Sequence, residues 1–190
     1  MFQHVTVLIS FIFALALTHV FSSTSNLILQ RDSVCFSSLL SMTMLNAVLG
    51  ILNNWLFLWQ LETLQRWTLS EVLLQLIWVI PLYFTVSLVA MPAHRGEPLD
   101  MKAFYERQRP AIYGAFIIFN VMGVIEIYAD RHNLAYSGPN EWVGAALTNV
   151  GFALCSLVAG WSKARWLQWI GVGGMFVGNI WFLSTYTLNS

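Results

Sequence analysis

Long apolar runs alternate with short polar connections along the whole chain. Six can be drawn, over about 5–30, 34–61, 70–91, 110–129, 141–161 and 166–188. A helix needs about 20 predominantly apolar residues to cross the hydrocarbon core of a bilayer. Each run reaches roughly that length, so the pattern predicts an all-α integral membrane bundle of six transmembrane helices, one domain over residues 1–190. In the first run, His19, Ser22, Ser23, Asn26 and Gln30 fall at steps of three, one, three and four. Those steps trace one stripe on a continuous helix, which favours a helix through 22–30 over a loop there. Residues 1–4 carry no Lys or Arg, unlike the start of a secretory signal, so this run reads as a retained span.

The longest connection, 92–109, contains Pro98 and then Met101, Phe104 and Tyr105 on one helical face. It reads either as a short amphipathic helix on the membrane surface or as a solvated connector. Pro110 then suits the first turn of the fourth span. The first, third and fifth connections together hold seven Lys and Arg: Arg31; Arg95, Lys102, Arg107 and Arg109; Lys163 and Arg165. The second and fourth hold Arg66 and Arg131, and the ends hold none. Cytoplasmic loops carry the excess of Lys and Arg, so the odd connections are expected inside and both termini outside. Trp55, Trp59, Trp67 and Trp142 then cluster at the outer interface, and Trp161, Trp166 and Trp169 at the inner one, as amphipathic indoles prefer.

Composition agrees. Hydrophobic residues make up 57% of the 190 and charged ones 9%, against roughly 25% charged in a soluble domain. Nine basic and nine acidic residues cancel, which excludes a strongly basic nucleic-acid binder. The two cysteines, Cys35 and Cys155, form neither a disulfide framework nor a metal-ligand pair. No nucleophile elbow, metalloprotease helix or phosphate loop is present. Neither a metal nor a cofactor is therefore expected.

The candidate chemistry lies in a few intramembrane polar groups, which are expensive in lipid and mark function by default. The second run carries Thr43, Asn46, Gly50, Asn53 and Gln60 on one face. An amide facing lipid unsatisfied costs several kcal/mol, so this stripe and the His19, Ser22, Ser23, Asn26 stripe should turn inward, toward each other. They would form a polar seam that either lines a small hydrated cavity or bonds the bundle together. His19 reads as a packed, hydrogen-bonded histidine or as a proton relay. Glu126, four residues before Asp130, reads as an interfacial acid reaching water, Arg131 or Arg66, or as a buried cation or proton site. Gly144, Thr148, Gly151, Cys155 and Ala159 form a small-residue stripe on the fifth run, and Gly171, Gly174 and Gly178 another on the sixth. Such faces let helix backbones approach closely, within the bundle or between copies.

The run ALALTH at 14–19, Trp55 and Trp59 closing the second segment, and Pro92 closing the third resemble a broad set of bacterial polytopic inner-membrane proteins of about 200 residues. The resemblance covers roughly the first half of the chain. It implies a multi-pass protein of the bacterial cytoplasmic membrane and transfers no site. The expected function is a membrane-embedded structural or accessory component that packs against lipid and against itself or a membrane partner. A small-solute or ion pathway through the polar seam is the alternative. An intramembrane enzyme using Glu126 or His19 ranks last, because no second catalytic group supports either.

Overall fold

The computed structural model describes residues 2–60, 69–92, 99–130 and 141–185. Among them the chain forms six α-helices: α1 (Phe2–Leu29), α2 (Ser38–Gln60), α3 (Leu69–Val89), α4 (Met101–Asp130), α5 (Glu141–Trp161) and α6 (Arg165–Thr185). The helix α1 runs unbroken through 22–29, as its polar periodicity predicts. It packs through Val5, Ile9, Phe13, Ala16 and Val20, all buried, at steps of four, four, three and four that draw one apolar face on a helix.

Two connections depart from expectation. The second span was expected from 34, but Val34–Cys35 forms a strand, β1, in parallel register with β2 (Leu99–Asp100). This clasp ties the α1–α2 connection to the start of α4 at one end of the bundle. After it, α2 begins at Ser38, preceded by Ser37, whose Oγ accepts from Leu40 N–H at 3.4 Å.

The second departure is larger. Neither a separate surface helix nor a solvated connector occupies 99–108, and the fourth span does not begin at Pro110. One helix starts at Met101 and continues through Pro110 to Asp130. Asp100 caps it, its Oδ1 accepting from Lys102 N–H at 2.9 Å and Ala103 N–H at 3.0 Å, as an N-cap residue does. Met101, Phe104 and Tyr105 share a face as expected, but that face is buried in the core rather than laid on a membrane surface. A proline in a helix interior costs about 3 kcal/mol. Burying large apolar side chains stabilises by roughly 1.5–3 kcal/mol each, so three anchors outweigh the one lost hydrogen bond.

The outside of the bundle is apolar: Phe11 (68% exposed), Val177 (67%) and Trp181 (70%) stand in a nearly continuous hydrophobic surface. Water does not tolerate a face of that extent on a monomer. Five of the helices, α1 to α5, are long and apolar enough to cross a membrane, which makes this a membrane protein. The sixth has the length, 21 residues, but Gln168, Asn179 and four glycines lower its apolarity. Those two amides are buried against the other helices.

Helices α5 and α6 pack at backbone distance. A Cβ built on Gly171 would lie 2.5 Å from Cys155 O and 2.9 Å from Ala159 N. Built on Gly174 it would meet Cys155 Sγ at 2.9 Å, and on Gly178 the Phe152 ring at 2.8 Å. Gly171, Gly174 and Gly178 therefore serve internal packing. The α5 stripe divides: Cys155 and Ala159 face α6, while Gly144, Thr148 and Gly151 are exposed, with nothing within 4 Å of a Cβ on either glycine.

Candidate functional site: three intramembrane polar clusters

The first cluster joins α2 to α6. Asn46 Nδ2 donates to Val172 O at 2.9 Å, and Asn179 Nδ2 donates to Asn46 Oδ1 at 3.4 Å. One side of Asn53 completes the arrangement, its Nδ2 donating to Asn179 Oδ1 at 2.7 Å. Asn179 thus stands between two amides set two turns apart on α2. The α2 stripe turns inward, as its cost in lipid predicts, but its partner is α6 rather than α1. Gln60 closes α2, and its side chain lies outside the described residues.

The α1 stripe does not reach that seam. His19 and Ser22 are exposed, Asn26 is half-buried, and only Ser23 is buried, at 3%. The reason is rotation: the apolar face from Val5 to Val20 docks, which places His19 on the flank of α1. There its ring stands edge-on to Tyr83 of α3, with Nε2 3.3 Å from the phenol oxygen. The expected meeting of two polar stripes is replaced by a single amide lock between α2 and α6.

A hydroxyl chain continues the α2 stripe toward the clasped end. Thr43 Oγ1 donates to Leu39 O at 2.7 Å, so it must accept from Tyr113 OH, 2.8 Å away. Tyr113 OH in turn accepts from Tyr105 OH at 3.2 Å. The order of donors is set by Thr43 having one proton, and the chain ends on a backbone carbonyl. From Thr43 to Asn53 the polar track spans about 15 Å along α2. Asparagine amides can hold such a track together but do not relay protons as hydroxyls and carboxyls do.

The third cluster lies near the other end, between α3, α4 and α5. Glu126 is 1% exposed and accepts a hydrogen bond from the Gln75 amide, itself 2% exposed. That excludes an acid reaching water. Arg66 and Arg131, the cations expected near it, lie outside the described residues. One turn before Glu126, Gly123 lets two side chains approach the α4 backbone: its Cβ would meet Asn149 Oδ1 at 2.7 Å and Trp78 Nε1 at 3.3 Å. Trp78 stacks on Phe119 with centroids 5.5 Å apart, and its Nε1 donates to Phe119 O at 3.1 Å. Asn149 Nδ2 and Asn120 Nδ2 return to carbonyls of their own helices. Gln75 and Trp78 from α3 and Asn149 from α5 thus approach this stretch of α4.

No family model, no curated protein and no solved structure matches this chain.

Asn179, Gln75 and Tyr113 were not singled out from sequence, and Tyr105 was read only as part of an apolar face. A signal for the first two existed. Asn179 is an amide within the sixth run and Gln75 one within the third, and every intramembrane amide needs a partner. The tyrosines carry no such signal, because Tyr is also at home at the interface. No group of three or more His, Cys, Asp or Glu suited to a metal occurs among the described residues.

Proposed function

We propose that this chain is a membrane-embedded accessory component that works through helix packing, with itself or with a partner protein in the same membrane. The observation that carries this reading is the amide lock Asn46–Asn179–Asn53, in which every amide group but Asn53 Oδ1 bonds another member or α6. A pathway would keep such groups available to a passing solute. On this reading all six helices span, both termini lie on the outer side, and the clasped end faces the cytoplasm of a bacterial inner membrane. The Lys and Arg bias of the odd connections supports that orientation.

The face offered to a partner is the open part of α5: Gly144, Thr148 and Gly151. On α6, Gly171, Gly174 and Gly178 are already occupied by Cys155, Ala159 and Phe152. Replacing Gly144 and Gly151 together by isoleucine is expected to abolish self-association in mild detergent while leaving the melting temperature of the monomer within about 2 °C of the parent, as surface changes away from packing usually do. Size-exclusion chromatography with light scattering, read beside thermal unfolding, checks it. A monomeric parent that also captures no membrane protein would end this reading.

A second reading, an ion or small-solute pathway, is favoured by one observation: the fully buried Glu126–Gln75 pair in a spanning helix. Intramembrane carboxyls of this kind mark coupling sites. On that reading, Glu126→Gln abolishes flux into proteoliposomes with the fold intact. Flux unaffected by Glu126→Gln would leave the carboxyl a structural role only.

A further inference from the structure

The Arg109 side chain, 13% exposed, crosses from α4 to the turn between α5 and α6, where its Nη1 donates to Ser162 O at 3.1 Å. Gln168 Nε2 donates to the same oxygen at 3.0 Å. The two side chains therefore have their polar heads side by side. Arg109 Nε and Gln168 Oε1 are both buried there and have no protein partner. Arg109 thus holds its charge just beneath the turn, where it adds to the field without meeting a ligand directly.

The surroundings are cationic. Lys163 and Arg165 are exposed on either side of Ala164. Lys102 lies seven residues before Arg109, on the same face of α4. Glu106, 3.4 Å from Arg109, offsets one of these charges. The first turn of α6 adds to the field: it contains no acidic residue, and Ala164, which precedes it, has no side-chain acceptor to cap the free N–H groups. A helix N-terminus left so is equivalent to a partial positive charge. Around the turn, Trp161 (53% exposed), Trp166 (64%) and Trp169 (41%) stand outward, the depth marker of the headgroup region.

We propose that the α5–α6 turn, together with the base of α4, is a binding site for the headgroup of an anionic phospholipid. Lys163, Arg165 and the α6 N-terminus take the phosphate. Arg109 adds its charge from beneath, and the tryptophans border the acyl chains. The site is independent of whether the chain packs with a partner.

The test uses the full chain in a neutral detergent, titrated with short-chain phosphatidylglycerol, phosphatidylcholine or inorganic phosphate, with bound lipid read by native mass spectrometry and stability by thermal unfolding. Phosphatidylglycerol is expected to bind and stabilise, phosphatidylcholine to bind at least tenfold more weakly, and inorganic phosphate to compete poorly. Juxtamembrane cations contribute about 1 kcal/mol each toward an anionic surface, so Lys163→Gln with Arg165→Gln should weaken phosphatidylglycerol by tenfold or more, with lipid-free stability unchanged. Arg31→Gln, at the α1–α2 connection beside Asp32, should leave the affinity unchanged. Equal binding of both lipids overturns the proposal. An equal loss in Arg31→Gln does so too, since it would mean diffuse attraction, and competition by inorganic phosphate at the lipid's own concentration would mean a free-anion site.

Discussion

Gly171→Ile is expected to separate α5 from α6 and to lower stability by about 3 kcal/mol or more. The argument rests on what the new side chain would meet. Even its first carbon would stand 2.5 Å from Cys155 O and 2.9 Å from Ala159 N. Both are backbone atoms of α5, so no rotamer change relieves the overlap and the helix itself must move. Moving it also pulls Gly174 from Cys155 and Gly178 from Phe152, which lie along the same contact. At roughly 2–4 °C per kcal/mol for a chain of this size, thermal unfolding in detergent should fall by roughly 6–12 °C. Gly173 supplies the control on the same helix, two residues on, with nothing within 4 Å of its Cβ position. Gly173→Ala should leave the transition nearly in place. If Gly171→Ile melts within about 2 °C of the parent, the close α5–α6 contact is wrong.

Asn179→Leu is expected to destabilise by about 2 kcal/mol, and the triple change of Asn46, Asn53 and Asn179 to leucine by less than Asn179→Leu alone. Removing the Asn179 amide takes the donor from Asn46 Oδ1 and the nearer acceptor from Asn53 Nδ2, which keeps only the Asn179 backbone oxygen at 3.4 Å. A buried polar group left without its partner costs about 1–3 kcal/mol, whereas replacing all partners by apolar groups of similar shape can be nearly neutral. Interhelical hydrogen bonds in membranes average only about 0.6 kcal/mol. The asymmetry, rather than the strength of any one bond, is therefore the signature of interlocked amides. Chemical or thermal unfolding of the single and triple variants decides it. A triple variant much weaker than Asn179→Leu would mean that the amides carry stability individually and that the lock picture fails.

Both results bear on how much could be read before the fold was known. The apolar runs anticipated the helices, and the α1 periodicity anticipated that 22–29 would be helical. The inward turn of Asn46 followed from the cost of a bare amide in hydrocarbon. Pro110 misled, because its local preference for a first turn was outweighed by the burial of Met101, Phe104 and Tyr105 one to three turns upstream. His19 misled for a related reason. A polar stripe was assumed to dictate how α1 is turned, but the apolar face from Val5 to Val20 is larger and decides it. For Glu126 the sequence left an interfacial and a buried reading open, and the fold selects the buried one: one turn from the end of a helix is enough to bury a carboxyl when Gln75 meets it from α3.

Hydropathy and helical period establish that this chain lives in a membrane as a bundle of helices, and they establish which residues share a face of each helix. Those properties are local, since they depend on spacing along one segment and on the solvent around it. Which neighbour each face meets is not local. That α2 bonds α6 rather than α1, that the α6 glycines rather than Gly144 and Gly151 close the α5–α6 contact, and that Arg109 reaches Ser162 all follow from how the helices are rotated and arranged. Packing of whole apolar faces sets that arrangement, and no pattern within a single segment records it.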